Sequence, residues 1–314
     1  MTFEPVVLFF LLGTIAGLMR SDLKIPGSIY EALSIYLLLA IGLKGGVKLA
    51  EHPIGEMLAS GVAIVLAGAL IPLFAFPVLR YLGRMNRPDS AAIAAHYGSV
   101  SVVTFSVGVT FLSQKGVSFE GYMITFLVLL EIPALMIGVM LARYGQGEVR
   151  WGKLLHEVFF GKSIFLLIGG LLIGYLAGSE GIKPLDVLFF DLFKGILALF
   201  LLEMGLVAAS RIADLRAYGA FLVGFAIIMP VIAGMLGTFV GWSLGLSVGG
   251  TTLLSLLYAS ASYIAAPAAM RIAVPEASPA LSIGASLGVT FPFNIFVGIP
   301  IYYWMATHVI TSGA

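Results

Sequence analysis

The chain has 314 residues, 60% of them hydrophobic and only 11% charged, where a soluble domain carries roughly 25% charged residues. So few charges cannot cover a water-facing surface, and a net charge of +1 gives no electrostatic footprint for nucleic acid. With no cysteine in the chain, disulfides and thiolate metal sites are excluded too.

Taken from the N-terminus, apolar runs long enough to cross about 30 Å of hydrocarbon fall at roughly 5–19, 28–43, 56–79, 90–113, 121–142, 163–178, 186–207, 218–242, 248–270 and 280–306. The expectation is an all-α polytopic membrane protein of ten transmembrane helices, with the lipid bilayer as its main solvent. Met1 to Pro5 contain no basic cluster of the kind that opens a cleaved signal, so the first run is expected to be a retained span. The 38 glycines suit helices that pack closely without a hydrophobic force between them.

One set of loops carries Arg20, Lys24, Arg80, Arg84, Arg87, Arg143, Arg150, Lys153, Lys162, Arg211, Arg216 and Arg271, the other only Lys44, Lys48, Lys115 and Lys183. The positive-inside rule puts the first set, including the connector 143–162, in the cytoplasm and both termini outside, in a bacterial inner membrane. Lys44 and Lys48, beside Gly45-Gly46, break that rule; they either attract an anion or snorkel to headgroups.

The second half matches the first at an offset of about 160 residues, in order along the chain. Gly13, Gly17 and Pro26 meet Gly170, Gly174 and Pro184; Gly42-Leu43 meets Gly205-Leu206; Tyr97-Gly98-Ser99-Val100-Ser101 meets Tyr258-Ala259-Ser260-Ala261-Ser262; Pro133 with Gly138 meets Pro292 with Gly298. An odd number of spans per half makes the repeat inverted, with halves at 1–160 and 161–314. Inverted repeats belong to secondary transporters, whose site lies where the halves meet.

The paired Tyr-x-Ser-x-Ser segments sit in the fourth and ninth spans, 90–113 and 248–270. Gly98 in one and Pro267 after the other mark places where the helix unwinds, since proline removes a backbone hydrogen bond. Unwound backbone inside a membrane must face protein or a polar cavity. The half-helix that starts after each break presents free N–H groups to an anion, and the half that ends there presents carbonyls to sodium. Gly98, Ser99, Ser101, Ser260, Ser262 and Tyr263 are the expected substrate-binding residues. Thr104, Glu131, Ser101, Ser262 and Asn294 are the expected sodium ligands, sodium being the coupling ion and no other cofactor being implied. Glu131 and Glu203 interrupt apolar runs, where a carboxylate costs at least about 2.5 kcal/mol unless paired or hydrated. Each could bind sodium, carry a proton or bond a neighbouring helix. His96 and Tyr97 are further candidates. Asp191 and Lys194, three residues apart, read as a helical ion pair.

These segments, with Ile41-Gly42-Leu43-Lys44-Gly45-Gly46, Glu131-Ile132-Pro133-Ala134-Leu135, Ser210-Arg211-Ile212, Leu215-Arg216 and Arg271 followed by Pro275, resemble the sodium-dependent bicarbonate transporter family known from cyanobacteria. The resemblance implies crossing broken helices at the fourth and ninth spans, a homotrimer and sodium-coupled bicarbonate uptake, while the much shorter loop between the halves argues against carrying over the family's PII-like regulatory partner. Ser99, Ser101, Ser260 and Ser262 match serines of the family's broken helices. Tyr263 stands where the family has an aspartate, Ala261 where it has a serine, and Glu131 replaces an aspartate. Three other readings stay open: proton coupling or antiport through Glu131, Glu203 and His96; a passive channel; and an intramembrane hydrolase using Ser99 with His96, for which no Gly-x-Ser-x-Gly elbow is present.

Overall fold

The computed structural model describes residues 5–50, 54–143, 152, 156, 160–215 and 219–312. Most of the 143–162 connector, Arg216 and the first four residues lie outside them. All regular structure among the described residues is helical, with no strand among them.

The first half contains α1 (Pro5–Leu18), α2 (Gly27–Ala50), α3 (Ile54–Pro77, extended by the π turn Val78–Leu82), α4 (Arg87–Gly98), α5 (Val102–Gln114) and α6 (Met123–Arg143). The second contains α7 (Lys162–Ile182), α8 (Phe193–Leu215), α9 (Gly219–Ser243), α10 (Val248–Ala259), α11 (Ala265–Ala273) and α12, which runs from Pro279–Ile283 through the π-helical Gly284–Thr290 and Asn294–Gly298 to Ile299–Ser312. Among the described residues eight helical stretches are long and apolar enough to span a membrane, and the shorter apolar helices Pro5–Leu18 and Val248–Ala259 stand where two further runs were read. The chain is a multi-pass membrane protein.

Several boundaries move outward from the sequence-based expectation. α2 continues through Lys44 and Lys48 to Ala50 because the Lys44 ammonium is covered: its Nζ lies 3.9 Å from the centre of the Phe193 ring and 5.4 Å from that of Phe190. The Lys44 cation thus lies over aromatic faces. α8 likewise runs on to Leu215. Asp191 closes a π turn and Leu192 breaks the helix before Lys194, so the expected ion pair between them is absent among the described residues.

Glycine sets how close the helices come. A Cβ on Gly42 would lie 2.6 Å from the Leu167 carbonyl oxygen, and one on Gly46 or Gly174 would collide with the carbonyls of Leu171 or Leu43. α2 and α7 therefore touch backbone to backbone. α1 and α8 do the same, since a Cβ on Gly13 or Gly205 would strike the Leu202 or Phe10 carbonyl. Without a hydrophobic force between helices in lipid, such contacts carry the packing. Gly46→Leu is expected to lose most folded protein on size-exclusion in detergent, because overpacking costs about 1–3 kcal/mol or more. Gly224→Leu, at a glycine with open space around it, is expected to elute as the parent does.

The α4–α5 stretch is the heart of the bundle. Nearly all of its most apolar window, 94%, is buried, against 22% for the window of α7, whose Leu172 and Leu176 face outward. The start of α4 is set by Asn86, whose side-chain oxygen accepts from the Asp89 N–H at 2.8 Å, with Pro88 in the first turn. α10 starts at Ser247, whose Oγ accepts from the Gly250 N–H at 3.1 Å; the Glu120 carboxylate accepts from the Ser247 N–H at 2.6 Å.

Candidate functional site at two interrupted helices

Both serine segments interrupt their helices. α4 stops at Gly98, Ser99 is extended at φ −86°, ψ 175°, and Ser101 opens α5. Gly98 is required at this point, because a Cβ there would lie 2.6 Å from Cδ of Pro72 on α3. α10 stops at Ala259, Ser260 is extended at φ −80°, ψ 162°, and α11 resumes at Ala265.

A serine hydroxyl accepts a first-turn N–H of each restarted helix, from the N-cap in α5 and from two residues before the N-cap Ile264 in α11. Ser101 Oγ accepts from the Thr104 N–H at 3.2 Å and from the Thr104 hydroxyl at 2.9 Å. Ser262 Oγ accepts from the Ala266 N–H at 3.1 Å. Such bonds satisfy only part of the first turn, whose remaining N–H groups have no partner within the helix.

The two breaks are bonded to each other. The Ser101 N–H donates to Ser260 Oγ at 2.9 Å, and the Ser262 N–H donates to the His96 carbonyl at 2.8 Å. Ser260 then passes its own proton to the Leu257 carbonyl at 2.8 Å. Backbone groups freed by unwinding in one helix thus find partners in the other, which is what buried polar backbone requires.

A narrow cavity, partly open to solvent, lies beside this junction. Ser101 and Val102 at the start of α5, and Ser262, Tyr263 and Ala265 at the start of α11, line it together with Glu131 of α6. Glu131 is 2% exposed, and its Oε2 has no hydrogen-bond partner. The Tyr263 hydroxyl is also buried and unpartnered. Pro133, two residues after Glu131, lies inside α6 and leaves the carbonyl four residues earlier without its helical donor. The cavity therefore collects two helix N-termini, two serine hydroxyls, a phenol and one carboxylate.

Other predicted residues lie around this cavity rather than on it. Thr104 stands behind Ser101, bonded to it. The Asn294 amide donates to the Ala259 carbonyl at 2.8 Å and accepts from the Tyr302 hydroxyl at 2.9 Å, so it holds the end of α10. Tyr97 donates to Thr290 Oγ1 at 2.6 Å, Thr290 in turn donating to the Ala226 carbonyl, and packs edge-on against Phe225. Tyr258 donates to the Ile64 carbonyl at 2.5 Å. The tyrosine that ends each interrupted helix is thereby an anchor. Glu203 sits on α8 beside Tyr30, apart from the cavity. Ser99 Oγ and His96 Nε2 are both buried without any partner, so the nucleophile–base bond of a hydrolase is not formed.

Sequence reasoning missed Leu38 on α2, which also lines the cavity, and Thr290, which holds Tyr97. Neither carries a signal, because each is an ordinary residue in an apolar run.

The fold and this site define the class: a multi-pass membrane protein, all-helical among the described residues, with a narrow cavity of mixed polar and apolar lining where two interrupted helices bond to each other. The model of the Na+-dependent bicarbonate transporter superfamily matches residues 5–307, and the chain belongs to that family. No curated protein matches it.

Proposed function

We propose that the chain is a secondary active transporter that couples sodium entry to uptake of bicarbonate or a similar small anion by alternating access. The observation that carries this reading is the crossing itself. Two restarted helices, each with a first-turn N–H bonded to a serine hydroxyl, begin at one cavity that also holds an unpaired carboxylate. The N-termini favour an anion, while Glu131 with the hydroxyls of Ser101 and Ser262 forms a hard, oxygen-only donor set of the kind sodium takes. An anion and the Glu131 carboxylate repel when no cation is present, by about 4 kcal/mol for unit charges about 4 Å apart at an effective dielectric of 20. Sodium on Glu131 removes that repulsion, which makes binding of the two ions interdependent.

Two inverted halves, 1–160 and 161–314, are part of this reading. Its support is reciprocal contact: α1 packs on α8 while α2 packs on α7, Tyr97 of α4 reaches α9, and Tyr258 of α10 reaches α3. We place the protein in the bacterial inner membrane as a homotrimer, termini outside. Proton coupling is the second reading, favoured by the unpartnered Oε2 of Glu131. Uptake of labelled bicarbonate into proteoliposomes decides: the sodium reading requires accumulation driven by an inward sodium gradient, whereas accumulation driven only by a proton gradient replaces it with the second. Flux that no ion gradient drives uphill defeats both.

A further inference from the structure

A second narrow cleft shares no lining residue with the crossing cavity and lies between α4, α11 and the start of α12. His96, Arg271, Ser278 and Ser282 supply its polar lining. The segment 273–278 that contributes to its lining is held by hydrogen bonds. The Ser278 N–H donates to Asp89 Oδ1 at 2.6 Å, and Arg143 donates to the Ala273 carbonyl at 2.8 Å and to Glu276 at 3.0 Å. Glu276, outside the spans, is held below the usual carboxylate range by its own backbone N–H and by the Arg143 guanidinium.

His96 is completely buried, and its Nδ1 lies 2.7 Å from the Ala92 carbonyl. A carbonyl only accepts, so Nδ1 carries the hydrogen and Nε2 of the neutral ring is an acceptor. That acceptor has no partner, although buried polar atoms are nearly always bonded. Arg271, exposed at the same cleft, offers a planar fork of donors suited to a carboxylate-like edge. Both Asp89 oxygens accept hydrogen bonds nearby, one from the Ser278 N–H and the other from the Asn86 amide at 2.6 Å.

We propose that this cleft is a second anion site, for a small planar oxyanion that carries a hydroxyl. Arg271 takes the anionic oxygens and His96 Nε2 accepts the ligand's O–H. Hydrogencarbonate has both features, whereas formate and nitrate present the oxygens without the hydroxyl. His96 also joins the two sites, since its carbonyl accepts the Ser262 N–H. The inference rests on the small-anion reading above and adds a selective station next to the crossing.

The test uses the full chain in detergent, with Ser262→Leu closing the crossing cavity, and follows thermal stabilisation by the sodium salts of bicarbonate, formate and nitrate at constant sodium. Bicarbonate is expected to act at about tenfold lower concentration than the other two, the worth of one well-made hydrogen bond to a charged partner. His96→Leu is expected to erase that preference and leave formate and nitrate unchanged. Arg271→Gln, at an exposed position that does not threaten folding, is expected to weaken all three by about tenfold or more. Stabilisation that ignores Arg271→Gln, a preference that survives His96→Leu, or loss of all stabilisation on Ser262→Leu alone overturns the proposal. Uptake by the unaltered protein separates the two readings: no sodium-driven uptake with Arg271-dependent stabilisation removes the transport mechanism and keeps the cleft, while normal uptake with Arg271-independent stabilisation removes the cleft and keeps the transport mechanism.

Discussion

Ser262→Leu and Ser101→Leu are each expected to reduce sodium-driven bicarbonate uptake to background while the chain still elutes as a folded species. Two effects act together. Leucine removes the hydroxyl that accepts a first-turn N–H of α11 or α5, at a cost of about 1 kcal/mol, which a folded bundle tolerates. Its branched side chain also fills a narrow cavity whose lining includes both serines, and this excludes the ligand. The corresponding alanine variants lose only the hydroxyl. They are expected to retain uptake with a half-saturating concentration raised about fivefold, the same 1 kcal/mol expressed in binding. Labelled-bicarbonate uptake, normalised to the folded fraction on size-exclusion, reads both. Leucine variants that transport at the parental rate place the substrate path elsewhere.

Glu131→Gln carries the second large effect. Glutamine preserves the volume and one oxygen of a side chain that is almost completely buried, but it cannot offer a negative charge. A sodium ligand lost in this way is expected to raise the sodium concentration for half-maximal uptake by about tenfold to a hundredfold, the range for a hydrogen-bonded or ligating charge. Maximal uptake at saturating sodium is expected to change far less. If Glu131 carries a proton instead, glutamine imitates the protonated form permanently. Sodium dependence then stays as it was, and proton-driven accumulation disappears. Titrating uptake against sodium in parent and variant distinguishes the two.

The family resemblance was legible because Tyr97 to Ser101, Tyr258 to Ser262 and Glu131-Ile132-Pro133 are short motifs with local meaning. The serines' capping role was not read from the sequence: Ser101 is the N-cap of α5, and Ser262, which stands before the N-cap Ile264 of α11, accepts from the Ala266 N–H. Polar residues read only from their rarity in an apolar run were less well placed. Asn294 and Tyr97 spend their polar atoms on Ala259, Tyr302 and Thr290, and Glu203 lies beside Tyr30, so three of the residues expected at the site support or surround it.

By itself the sequence determined that this chain lives in lipid and pointed to the two serine segments at which its helices are interrupted, because hydropathy and local motifs are written in neighbouring residues. Only the tertiary structure decided that the two breaks are each other's partners, through Ser101 to Ser260 and Ser262 to His96, and that Glu131 shares their cavity while His96 shares a second cleft with Arg271. A helix that is apolar on every side carries no mark of which face is inward. The partner of a freed backbone group is whatever the packed bundle brings within about 3 Å of it, often from a residue far along the chain.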